Sequence, residues 1–221
     1  MTIRVLYNYI LTILGVREML PSDILRSKPI IECNEPMVCL TSSIGLYLNG
    51  EVMYCRFSVA EKLKRVGKVL YSKGLGLYIY ELYRSPEQQQ ARFQETCRFL
   101  QNTISDEKEL EIAAHRCTAG VGGGHQTGGA VDLTLCDKFG NQLDMGSVYP
   151  DKCPEMVTSC RMPNTIKERR KLLCKVMRKE GFVNYPGEWW HFAYGDQLWA
   201  AYRYKRYAIY GGKSQIPKDT L

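Results

Sequence analysis

Three histidines stand in the 221 residues, at positions 115, 125 and 191, so a site built on imidazole has almost no choice of members. His125 lies within Gly122-Gly123-Gly124-His125-Gln126-Thr127-Gly128-Gly129. Five glycines in eight residues make a loop whose backbone freedom is costly unless a close approach or a tight turn requires it. Seven residues after His125 comes Asp132, inside Ala130 to Leu135, which alternates as a short strand with Asp132 and Thr134 on one face and Val131, Leu133 and Leu135 on the other. His191 closes Glu188-Trp189-Trp190-His191, a strand-like aromatic run after the turn signal Pro186-Gly187. Two imidazoles and one carboxylate form a familiar catalytic zinc set that leaves a fourth position for water, and Glu188 is a carboxylate placed to take that water's proton. Each segment alone also has a plainer reading: Asp132 as a solvated acid, His191 as a core histidine among aromatics with Glu188 at the rim. On a regular strand Glu188 and His191, three apart, face opposite ways, so one site can hold both only if Glu188 leaves from the turn or a bulge. No H-E-x-x-H helix and no G-x-S-x-G elbow occurs, which argues against a thermolysin-like scaffold and a serine nucleophile.

The elements that must position these residues are short strands alternating with a few helices. Val59 to Tyr71 is helical by the spacing of Val59, Leu63, Val66, Val69 and Leu70. Leu77 to Leu82 alternates as a strand. Ser85-Pro86-Glu87-Gln88 then reads as a helix start, with Ser85 the N-cap and Gln88 three residues on, and the helix runs to about Leu100. Arg84 thus falls where a strand hands over to a helix, a place that can project a side chain into a cleft. Residues 166–180 read as an amphipathic helix with Ile166, Leu172, Leu173, Val176 and Met177 inward and its basic residues in solvent. His115, after Glu111-Ile112-Ala113-Ala114, reads as a surface or capping residue at a helix end.

Composition sets the limits. With 45% hydrophobic and 24% charged residues the chain is globular, not disordered, collagenous or coiled-coil. Its net charge of +7 is concentrated at the C-terminal end, where residues 161–221 hold thirteen Lys and Arg against five Asp and Glu. The run Tyr202-Arg203-Tyr204-Lys205-Arg206-Tyr207 could stack bases and neutralise phosphates, but no nucleic-acid motif accompanies it, and no nucleic-acid partner is expected. Nine cysteines without a C-x-x-C argue against a zinc ribbon or redox pair, and their odd number and wide spacing suggest a reducing, cytoplasmic setting. The N-terminal apolar segment 1–15 is too short to span a bilayer and Gly15-Val16-Arg17 is a poor cleavage site, so it is expected to pack as a helix; a periplasmic location follows only if it acts as a leader. No other stretch approaches a membrane span.

Together the motifs resemble a known family. His125-Gln-Thr-Gly-Gly-Ala-Val-Asp132 resembles the pattern S-x-H-x-x-G-x-A-x-D, and Glu188-Trp-Trp-His191 its E-x-x-H partner, in the zinc D,D-peptidases that include VanX-type D-alanyl-D-alanine dipeptidases and VanY-type carboxypeptidases. Tyr83-Arg84-Ser85-Pro86 resembles the family's Y-R-P segment, Asp144-Met145-Gly146-Ser147 its D-M-G-[ST], and Arg170 to Leu173 with Gly181-Phe182 its last helix and turn. Tyr194-Gly195-Asp196, Trp199-Ala200 and Ala208 to Gly211 favour the dipeptidase branch. The resemblance covers residues 16–212 as one domain, leaving 213–221 as a tail. It implies an α+β fold: a small, mainly antiparallel sheet that carries the site and is packed by helices. It also implies one zinc ion per chain held by His125, Asp132 and His191, with Glu188 as general base and Arg84 stabilising the oxyanion.

Two departures bear on substrate. Gly123 stands where the family pattern has Ser. After Tyr149 comes Pro150 where the dipeptidases place the Asp that anchors the substrate ammonium, so only Asp151, one position late, is left for that role. The function implied is hydrolysis of D-Ala-D-Ala or a closely similar D,D-dipeptide. The alternatives are a D,D-carboxypeptidase acting on peptidoglycan stem peptides and, outside the enzymes, a zinc-stabilised binding module such as the signalling domain of Hedgehog proteins, against which Glu188 and Arg84 argue.

Overall fold

The computed structural model describes residues 19–20, 22–50, 52–117, 122–150, 153–214 and 216. The apolar segment 1–15, Asp151, the side chain of His115 and most of the tail beyond residue 213 lie outside the described residues. In chain order the elements are α1 (Ser22–Arg26), β1 (Met37–Leu40), β2 (Leu46–Leu48), β3 (Met53–Arg56), α2 (Phe57–Tyr71), β4 (Leu75–Glu81), α3 (Pro86–Leu100) and α4 (Glu107–Cys117). A 3-10 turn at Gly124–Thr127, β5 (Ala130–Asp137), a second 3-10 turn at Pro154–Met156, α5 (Asn164–Lys179), β6 (Val183–Asn184), β7 (His191–Ala193) and α6 (Gln197–Tyr202) complete the chain.

Five strands form one sheet in the order β2-β4-β5-β7-β6, antiparallel except for the β2–β4 pair, while β1 and β3 make a separate antiparallel ribbon. The expected α+β architecture with a mainly antiparallel sheet is the one observed. One face of the sheet presents Leu77, Ile79, Leu133 and Leu135 to a core shared with Leu63, Val66 and Leu70 of α2 and Leu173 and Met177 of α5. The opposite face, beside which α3 and the His125 loop lie, carries the chemistry.

Two expectations are corrected, for Val69 and Arg170, and the plainer reading of Asp132 as a solvated acid is set aside. Val69 of α2 is exposed, because the buried stripe runs through Val59, Leu63, Val66 and Leu70 and leaves position 69 on its outer edge. Asp132 and Thr134 are buried, not solvated, since β5 is the middle strand and neighbouring elements cover both of its faces. Arg170 is also buried instead of joining the solvated basic face of α5. Its guanidinium donates to the carbonyls of Met145 (2.8 Å), Glu155 (2.7 Å) and Val157 (2.8 Å) and lies over the Trp189 ring. A buried cation satisfied by main-chain acceptors pins the loop between β5 and α5 to the helix.

Candidate metal centre and active site

His125 leaves from the 3-10 turn, and its ring is fixed from behind. Its Nδ1 lies 2.6 Å from the Leu82 carbonyl, which can only accept a hydrogen bond there, so Nδ1 carries the proton and Nε2 is the lone-pair nitrogen. Glycine is needed on both sides of it. A Cβ on Gly124 would sit 2.5 Å from Asp196 Oδ2, and Gly128 adopts φ +69° to turn the chain into β5. β5 then presents Asp132, and pairing of Asp132 with His191 across β5 and β7 brings the second imidazole alongside. His125 Nε2 lies 3.3 Å from His191 Nδ1 and 3.4 Å from Asp132 Oδ1, and His191 Nδ1 lies 2.9 Å from the same oxygen. All three side chains are largely buried.

The donor set fits a small divalent cation. Ligand atoms placed tetrahedrally about 2.0–2.1 Å from a zinc ion are about 3.3 Å apart, close to the three separations found. Without a cation, lone-pair atoms would face one another across a buried space with one shared proton for compensation. Burial by itself raises the Asp132 pKa, but the His125 and His191 imidazoles outweigh it and hold the carboxyl well below its usual value. His191 is pulled down by burial and pushed up more strongly by its bond to Asp132, leaving it raised.

Glu188 leaves from the turn, as one shared site requires. Its N–H donates to the Tyr185 carbonyl (3.0 Å), and its own carbonyl accepts from His191 N (3.2 Å), a tight bend between Pro186 and β7. Asn184 Nδ2 donates to the Glu188 carbonyl at 3.0 Å and to that of His191 at 3.0 Å, fixing the bend. The Glu188 carboxylate is close enough to add to the upward shifts of His191 and Tyr185.

Arg84 stands at the junction of β4 and α3, and Ser85 begins α3 with a reciprocal capping box to Gln88. Its N–H donates to the His125 carbonyl (3.3 Å), tying the two motifs together through the backbone. Arg84 is 8% exposed, and its side chain is held by residues that sequence reasoning missed. Nε donates to Glu81 Oε1 (2.8 Å), Nη2 donates to Glu81 Oε2, and Nη1 donates to Gln89 Oε1 (2.7 Å). Tyr149, which stacks on Tyr80 and meets Trp190 edge-on, donates its hydroxyl to Glu81 at 2.9 Å. Asp196, which the sequence offered only as part of Tyr194-Gly195-Asp196, is a buried carboxyl that caps α6 through Trp199 N (2.8 Å) and abuts Gly124.

Comparison with known proteins agrees with the motifs. The D-Ala-D-Ala dipeptidase family, peptidase M15, matches residues 31–209. The chain belongs to that family. It is 39% identical over 88 residues to the D-alanyl-D-alanine dipeptidase of Synechocystis sp., a stretch covering 34% of this chain and 36% of that protein. The D-alanyl-D-alanine dipeptidase of Escherichia coli is 36% identical over 121 residues, 54% of this chain and 55% of the relative. That of Enterococcus faecium is 26% identical over 150 residues, 64% of this chain and 73% of the relative. The matched stretches therefore span about a third and about half of the first two relatives. Among solved structures, VanYB in complex with D-alanine-D-alanine shares the fold, with a TM-score of 0.50 at 15% identity over 80% of this chain and 92% of that one.

Proposed function

We propose that this peptidase M15 protein is a zinc-dependent dipeptidase that hydrolyses D-Ala-D-Ala or a closely similar D,D-dipeptide, with one zinc ion per chain. The observation that carries the reading is the convergence of His125 Nε2, Asp132 Oδ1 and His191 Nδ1, with Glu188 and Arg84 at its border. His125, Asp132 and His191 hold the metal. When bound, zinc supplies Lewis acidity, which acidifies water and polarises a carbonyl oxygen. Glu188 takes the proton of the attacking water and returns it to the leaving amine. Arg84 has five N–H donors, three of them engaged by Glu81 and Gln89, and turns the remainder toward the oxygen that gains charge in the tetrahedral transition state. Asp151, next to Tyr149 and Pro150, anchors the substrate ammonium. The odd cysteine number supports a reducing, cytoplasmic setting. Among the described residues no helix is long and apolar enough to cross a membrane.

A second reading, a D,D-carboxypeptidase on peptidoglycan stem peptides, is favoured by one feature. Pro150 stands where the dipeptidases place the Asp that anchors the substrate ammonium, and a site without that anchor accepts a longer peptide. Rates on D-Ala-D-Ala and on an acylated tripeptide ending in D-Ala-D-Ala separate the two. A dipeptidase prefers the first by orders of magnitude, and the reverse preference establishes the carboxypeptidase. Hydrolysis of neither contradicts both.

A further inference from the structure

We infer that Glu81 is the positioning residue for Arg84, re-aimed into the site by a bulge in β4; the inference rests on the role proposed for Arg84. Up to Ile79 the β4–β5 register is regular, with Leu77 opposite Leu135, Tyr78 opposite Thr134 and Ile79 opposite Leu133. The next partner of Asp132 is not Tyr80 but Glu81, so two residues of β4 oppose one of β5. Regular alternation would send Glu81 to the side of Leu77 and Ile79, where the apolar core lies and a lone carboxylate would be expensive. The bulge instead sets it across from Asp132, on the face that carries the chemistry.

Once there, Glu81 is the hub of three side chains. Both its oxygens accept from Arg84, on the guanidinium edge formed by Nε and Nη2, and Oε2 also accepts from Tyr149 Oη (2.9 Å) and Arg92 Nη2 (3.3 Å). Gln89, 1% exposed in the first turns of α3, takes one Nη1 donor. A guanidinium gripped along one edge and at one corner cannot swing, and its two remaining N–H groups, one on Nη1 and one on Nη2, are held in place with it. Glu81 also neutralises Arg84 in the resting site, so the fork meets a neutral peptide carbonyl without first capturing a free carboxylate. It therefore contributes most when the oxygen gains charge, and it limits occupancy of the site by product carboxylates.

Two measurements test this. The first needs no activity: in NMR spectra of the full chain, the Arg84 Nε–H is expected to exchange slowly with solvent, and Glu81→Gln to lose that protection while the rest of the spectrum stays that of the folded chain. A freely exchanging Nε–H in the unsubstituted protein overturns the inference, whatever the protein hydrolyses. The second is a double-mutant cycle on D-Ala-D-Ala hydrolysis. Glu81→Gln is expected to lower kcat by about tenfold to a hundredfold with a smaller change in KM, and to strengthen inhibition by D-alanine. Glu81→Asp recovers part of the rate, and neither substitution costs anything further in an Arg84→Ala background. Equal losses with and without Arg84 contradict the inference. A protected Nε–H in a protein that hydrolyses no D,D-peptide sinks the functional reading and upholds the positioning.

Discussion

Asp132 owes its charge to its neighbours: burial favours the neutral acid, and two imidazoles reverse that preference. The same contest sets Glu81, where burial raises the pKa and the Arg84 hydrogen bond overcomes it. Because the folded value of Glu81 is lowered, its contribution to stability is present above the ordinary glutamate pKa of about 4.3 and lost as pH falls through the depressed folded value. Urea midpoints between about pH 6 and pH 3 are expected to fall less steeply in Glu81→Gln than in the unsubstituted protein; parallel curves would show that Glu81 is not held ionised. Glu188→Ala is expected to lower kcat by about 10²–10⁴-fold with zinc content unchanged, and Arg84→Ala by about 10²–10³-fold, both by steady-state assay with metal analysis. At this scale the sequence was informative where scarcity and spacing coincided. With three histidines in the chain, two of them in separate motifs with a carboxylate beside each, the convergence of His125, Asp132 and His191 was readable. Glu81 and Gln89 were not, because a bulge breaks the strand period that would have placed the first, and nothing local marks the second as buried.

Short elements position these side chains, and their ends matter more than their lengths. Ser85 was legible as a cap because the cap residue, Pro86 and Gln88 form a local code, and the capping box is present. Ser85→Ala is expected to cost about 1 kcal/mol in chemical denaturation. Gly124 is a different kind of requirement: an added Cβ meets the buried Asp196 carboxylate at 2.5 Å and Ala130 Cβ at 3.2 Å. Gly124→Ala must displace the turn that carries His125, so its zinc affinity, read by competition with a chelating dye, is expected to drop by about tenfold or more. Unchanged affinity would mean that the loop relaxes around the methyl group. Arg170 shows why charge patterning failed on α5. The helix carries basic residues on several sides, and only the tertiary supply of carbonyls from Met145, Glu155 and Val157 decides which of them goes inside.

On the scale of the whole molecule, the sheet brings together motifs that the chain holds 66 residues apart, His125 and His191, through one strand pairing. The α+β class was implied by the family resemblance that the motifs carry, whereas the parallel β2–β4 pairing was not legible, because no local signal reports which strand a three-residue segment will join. A buried cluster of metal-ligating groups couples binding to folding: removing zinc is expected to lower the melting temperature, and restoring it to recover the loss in a concentration-dependent way. The most direct measurement is D-alanine release from D-Ala-D-Ala by protein stripped with a chelator and rebuilt by zinc titration, with bound metal quantified in the same samples. Activity absent from the stripped protein and rising linearly to a plateau at one zinc per chain is the predicted result. Activity that survives stripping, or a fully loaded protein that releases no D-alanine, would contradict it.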